Sequence, residues 1–115
     1  KDAGMGIWNL ITQRRIHTKL HHLAGRVAAT CLNSVVGRLG QDISRMSAAE
    51  AVGYVRARAR SIVQTQANAV ATAIESLTPQ QHERLVAISL DIVTRHAIEQ
   101  ARRSAAKPRA YRAAA

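Results

Sequence analysis

Apolar residues recur at helical spacing along most of the chain, in three runs separated by turn and capping signals. Ile16, Leu20, Leu23, Val27, Cys31, Val35 and Leu39 advance by three or four residues, the mark of one buried helix face. This run predicts a first helix over about 7–39, after a lead-in at Lys1–Gly6 that carries two glycines and no period. Gly25 and Gly37 weaken it, and either marks a kink or a close helix crossing, with Gly37–Gly40 a plausible terminus. Arg38–Met46 is the connector, its turn residues Gly40 and Asp42. Ser47-Ala48-Ala49-Glu50 then places a hydroxyl cap three residues before an acid. It opens a second helix over about 48–77 that buries Val52, Val55, Ala59, Ile62, Val63, Val70, Ile74 and Leu77, with Tyr54 on a flank. Gln64, Gln66 and Asn68 interrupt that helix with polarity, so Asn68 or Gln66 is a candidate for setting register or facing a partner.

Leu77-Thr78-Pro79-Gln80-Gln81 is the strongest boundary signal. Thr78 suits the cap, Pro79 the first helical position and Gln81 the reciprocal capping-box position. The third helix, about 79–106, is apolar over a wide arc: Leu85, Ile88 and Ile92 in one row, Val86, Leu90, Val93 and Ala97 in the next. Lys107-Pro108 is expected to end it, because a residue before proline is pushed out of helical geometry. The expected fold is all-α, an antiparallel three-helix bundle or a helical hairpin plus a docking helix. Residues 1–106 form one domain in this reading, and 107–115 a short basic tail.

Composition sharpens this picture. Aromatic residues make up only 3% of the chain, so the core must gain its burial from close approach of Ala, Val, Leu and Ile helices. Small apolar side chains bury little area each, which favours a homo-oligomer or a protein partner. Trp8 is expected to pack on the far end of the hairpin. The lone Cys31 excludes an intramolecular disulfide and reads as a small buried thiol. The longest charge-free stretch, Ser61–Ile74, is too short and too polar to cross a bilayer. A cytoplasmic location is expected; the chain begins at Lys1 without Met, which leaves an upstream leader open.

Charge brings in the candidate chemistry. The formal net charge is +10, a balance that points to a polyanionic partner. No acid falls between Asp2 and Asp42, whereas Arg14, Arg15, Lys19, Arg26 and Arg38 all do. Arg15, Lys19, His22 and Arg26 are spaced to share one helix face. A second group, Arg102, Arg103, Lys107, Arg109 and Arg112, surrounds Tyr111, whose ring is placed to stack on a base. An unpaired stripe of like charge repels itself until a polyanion replaces its counter-ions, so both groups are candidate nucleic-acid-binding residues. Arg56, Arg58 and Arg60 add charge at the start of the second helix.

Other chemistries have less in their favour. His17 and His21 stand one turn apart, but no Asp, Glu or Cys near them in sequence completes a metal site. Asp91 and Arg95 are spaced for an ordinary intrahelical ion pair. No glycine-rich phosphate loop, nucleophile elbow or HExxH occurs, so neither an enzyme nor a cofactor is expected. Ser47–Val70, through its Tyr54-Val55-Arg56-Ala57-Arg58-Ala59 run ahead of Asn68, resembles the middle helix of ANTAR-type RNA-hairpin-binding domains. The flanking helices have no counterpart there, and the likeness is not counted as membership. The expected function is non-enzymatic binding of nucleic acid, DNA or RNA, or of another polyanionic surface, with low sequence specificity. The alternative is a structural or adaptor subunit that docks through apolar helix faces. A membrane surface is the least favoured partner, because the stripe borders a face without interfacial aromatics.

Overall fold

Two capping motifs start their helices as the sequence predicts. The Ser47 hydroxyl accepts the Glu50 amide proton, opening the helix that begins at Ala48. At the next boundary Gln81 N–H donates to the Thr78 hydroxyl at 3.1 Å, and Thr78 N–H donates back to the Gln81 side chain at 2.9 Å. Each bond satisfies an amide that a helix start would otherwise leave unpaired. The computed structural model describes residues 2–74 and 77–114, with side chains described for 10–12, 14–74 and 77–104. Within them lie α1 (Asp2–Gly37), a 3-10 turn (Gln41–Arg45), α2 (Ala48–Ala73) and α3 (Pro79–Ala114).

The helices form an up-down-up bundle. At one end Leu20 and Leu23 of α1 meet Ala67 of α2 and Leu85 of α3. At the other, Val35 joins Ala51, Val55 and Ala97 together with Ile43 of the 3-10 turn. Thus α1 and α3 run parallel, and α2 returns between their ends. His17 lies beside Arg84, which sets the start of α3 about ten residues, or roughly 15 Å, beyond the start of α1. Two 36-residue helices, each about 54 Å long and offset by that amount, account for an overall extent of 72 × 27 × 23 Å. The radius of gyration is 18.3 Å, against about 13 Å for a compact chain of this length. The bundle is a short rod with one helix projecting at each end.

The seam of α2 is a ridge of small residues. Its buried residues are Ala51, Val55, Ala59, Val63 and Ala67, one every four residues, alternating Ala and Val. A four-residue step turns about 40° around the helix, so this ridge winds from one neighbour toward the other. The expected core shifts accordingly. Val52 is 40% exposed, and Ile62, Val70, Ile74 and Leu77 are half-buried, while Ala51 and Ala67 are closed off. In α3, Ser89 and Thr94 are buried beside Leu90 and Val93; their hydroxyls donate back to Leu85 O and Leu90 O, which removes the cost of burying them. Cys31 is buried as expected, its thiol 3.9 Å from Ile62 O, and burial pushes its pKa above the ordinary thiol range.

Several boundaries differ from the periodic pattern, each for a local reason. Residues 2–6 belong to α1, not to an irregular lead-in, and α1 closes at Gly37 with tightened bonds from Arg38 N–H to Val35 O and from Leu39 N–H to Val36 O. The connector contains the 3-10 turn, because Ile43 is apolar enough to be drawn into the core. Helix α2 stops at Ala73, not at Leu77. Ile74 turns extended, yet its side chain and that of Leu77 stay against the Leu20–Leu85 cluster. Helix α3 runs through Pro108 to Ala114. Proline's cost is local to one turn, and the alanines on both sides of it are the strongest helix formers. Gln64 donates its side-chain amide to Asn68 on the exposed face of α2, so Asn68 sets no interhelical register. Trp8 lies outside the described side chains.

Gly25 marks neither a kink nor a close crossing. It is exposed within a continuous α1, and a methyl there meets no atom within 4 Å. Gly25→Ala is therefore expected to raise unfolding stability by about 0.5–1 kcal/mol in urea titrations. Ala59 is fully buried at the middle of the α2 seam. Ala59→Leu is expected to lower stability by about 1–3 kcal/mol in the same assay, because the ridge cannot part without separating α1 from α3.

Candidate nucleic-acid interface

On α1 the buried row Leu20, Ala24, Val27, Cys31 and Val35 leaves the opposite side of the helix to solvent. Arg15, Lys19, His22 and Arg26 occupy that side, and all four are exposed. At 1.5 Å per residue they form a row about 16 Å long with steps of roughly 4–6 Å. Among the described residues only two ion pairs occur, Arg56–Asp91 and Arg103–Glu99. None of the α1 cations is therefore matched by a described carboxylate, so their charge is directed at solvent.

Arg14 separates from this row. It sits about 100° around the helix from Arg15, on the side of α1 that carries His17 and His21. There the His17 and His21 rings meet edge to face at 4.3 Å, and an Arg84 guanidinium nitrogen from α3 lies 3.3 Å from His17 Nδ1. The structure thus gathers Arg14, His17, His21 and Arg84 along the α1–α3 flank, a cationic grouping that sequence spacing within one helix does not reveal. A guanidinium beside the imidazole pair is a poor neighbour for a metal ion.

The remaining cations divide by what they touch. Arg56 Nη1 donates to Asp91 Oδ1 at 2.6 Å, tying α2 to α3. This displaces the expected Asp91–Arg95 pair: Asp91 points to α2, and Arg95 is left exposed without that carboxylate. Arg58 lies 5.1 Å over the Tyr54 ring, whose hydroxyl accepts the Gly40 amide proton at 3.0 Å. The Tyr54 hydroxyl thereby holds the connector against α2, while Arg58 of the same helix covers its ring. Arg102 and Arg103 are exposed on α3, roughly 13 Å farther along the rod than Arg26, and Arg103 bonds Glu99 one turn back. Lys107, Arg109 and Arg112 fall on the backbone of α3, with side chains outside the described residues, as is that of Tyr111. The α1 row and the α3 group are therefore two separate basic surfaces.

No helix among the described residues is long and apolar enough to cross a membrane. No protein-family model matches the chain, and searches of curated proteins and of solved structures return no match either.

Both partners of the Arg56–Asp91 pair are well exposed, with side chains 39% and 54% accessible, so water screens most of its Coulomb energy. A double-mutant cycle with Arg56→Ala and Asp91→Ala is expected to give a coupling below about 1 kcal/mol in thermal or urea unfolding.

Proposed function

We propose that the chain is a non-enzymatic, cytoplasmic binder of nucleic acid, and that it holds the phosphate backbone through the α1 row of Arg15, Lys19, His22 and Arg26. The observation that carries this reading is that row itself: four basic side chains, all exposed, with no described carboxylate to neutralise them on a chain of net charge +10. Steps of roughly 4–6 Å along a rigid helix let successive side chains reach successive phosphates. Phosphate contacts of this kind carry no sequence information directly, and Tyr54 on α2 already has its ring and hydroxyl engaged. The binding is accordingly of low sequence specificity, with Arg14 and the α3 arginines as additional contacts.

A second reading, a docked subunit of a larger assembly, has its own support. Leu10 is 58% exposed and Ile11 39%, both on the part of α1 that extends past the start of α3. An apolar helix segment without a neighbour is what a protein partner covers.

Fluorescence anisotropy with labelled duplex DNA and with RNA, across a salt series, separates the readings. Three fully charged contacts predict that the logarithm of affinity falls with the logarithm of salt at a slope of roughly −3. Arg15→Ala, Lys19→Ala and Arg26→Ala together should remove most of that slope, and Arg14→Ala alone should remove less than any one of them. Absence of binding to either probe at low salt would sink the nucleic-acid reading and leave the docked subunit.

A further inference from the structure

Basic groups stand on two sides of α1, not one. Arg15, Lys19 and Arg26 fill the first side. Arg14 and His21, both exposed, lie roughly 100–160° around the helix from them. Arg84 extends this second flank from α3, its guanidinium 3.3 Å from His17 Nδ1. Neither flank has a described carboxylate partner. No acid occurs between Asp2 and Asp42, and the two described ion pairs involve none of these residues. The arc between the flanks is exposed too, and the side chains on it are small: Thr18, Gly25 and Ala29. Seen down its axis, α1 from Arg14 to Ala29 is a bare helix body with a cationic edge on either hand.

We infer that this stretch of α1 lies lengthwise in the major groove of B-form DNA, each flank holding the phosphates of one strand. The inference rests on the phosphate-binding reading of the α1 row and names its ligand. A helix with its side chains is about 10–12 Å across, and the major groove is about 12 Å wide. Cations on both edges of a helix seated there reach both bordering strands, whereas a helix resting on one strand from outside uses a single edge. The arc must then pass between the strands, and its short side chains leave room for that. A methyl placed on Gly25 meets no atom of the protein within 4 Å, so nothing of the bundle occupies the space either. Other nucleic acids fit less well. The minor groove of B-DNA, about 6 Å wide, is too narrow for the helix. The major groove of A-form RNA is deep and narrow, and its minor groove is shallow. A single strand has no second backbone for Arg14 and Arg84 to hold. Small side chains also touch the groove floor without selecting bases, in keeping with low sequence specificity.

Anisotropy titrations of the full chain with labelled DNA and RNA duplexes of one sequence, at one salt concentration, test this. Duplex DNA is expected to bind about tenfold or more tighter than duplex RNA. Gly25→Leu with Ala29→Leu should abolish that preference by filling the arc, in a variant that urea unfolding shows to be at least as stable as the unchanged chain. Arg14→Ala with Arg84→Ala should narrow the preference as well. Dimethyl sulfate should find guanine N7 protected in the complex and adenine N3 still reactive, since N7 faces the major groove and N3 the minor. The inference is overturned if the two duplexes bind alike, if the leucine pair leaves the preference intact, or if adenine N3 is the protected atom. Equal binding that still falls with salt and still depends on Arg15, Lys19 and Arg26 overturns the groove alone and keeps the phosphate row. Absence of binding to either duplex overturns both.

Discussion

The bundle depends on how closely two helices can approach the small-residue ridge of α2. Ala51, Val55, Ala59, Val63 and Ala67 project so little that α1 and α3 can both close on the same narrow strip. With 3% aromatic residues there is no large ring to compensate for a gap. The free energy of the fold therefore comes from many short-range contacts that are lost together if the helices separate by a fraction of an ångström. Buried polar groups are handled locally: Ser89 and Thr94 bond to their own helix, and no described buried side-chain polar atom lacks a partner.

That core is thin, and it leaves each helix with a broad outer surface. The cations occupy those surfaces in distinct groups: the α1 row facing solvent, the histidines and Arg84 on the α1–α3 flank, and the arginines along the outer side of α3. Several arginines are committed to structure. Arg56 bridges two helices, and Arg58 covers Tyr54 while Tyr54 secures Gly40. A net charge of +10 thus overstates the positive surface available to a ligand, and which cations remain is decided by tertiary neighbours rather than by composition.

Much of the fold was legible because its determinants are local. The Ser47 and Thr78 caps are single-residue chemistry read over three positions, and both form as the spacing implies. The α1 core row also follows its period, with Leu20, Leu23, Val27, Cys31 and Val35 all buried. What escaped the sequence depends on partners far along the chain. Ala51 and Ala67 stood outside the expected buried set and are closed off only by the two other helices, while Val52, larger and more hydrophobic, lies off the seam. Ile43 was hidden in a polar connector. Asp91 had two candidate cations, Arg95 on its own helix and Arg56 on another, and helix spacing alone could see only the first. The α1 row was legible as a face, since i+4 and i+3 steps fix it, but the grouping of His17, His21 and Arg84 was not, because Arg84 comes from another helix.

The axial offset between α1 and α3 has a consequence for how the molecule moves. Nearly all described amide N–H bonds lie in three helices that share one direction, and that direction is the 72 Å axis of a rod 27 × 23 Å across. Spinning about the long axis leaves those bonds where they were; only end-over-end rotation reorients them. In magnetic relaxation the backbone therefore behaves as if it belonged to a heavier particle than a 12.5 kDa chain. An apparent mass inferred from amide relaxation would imitate a dimer even for a monomer.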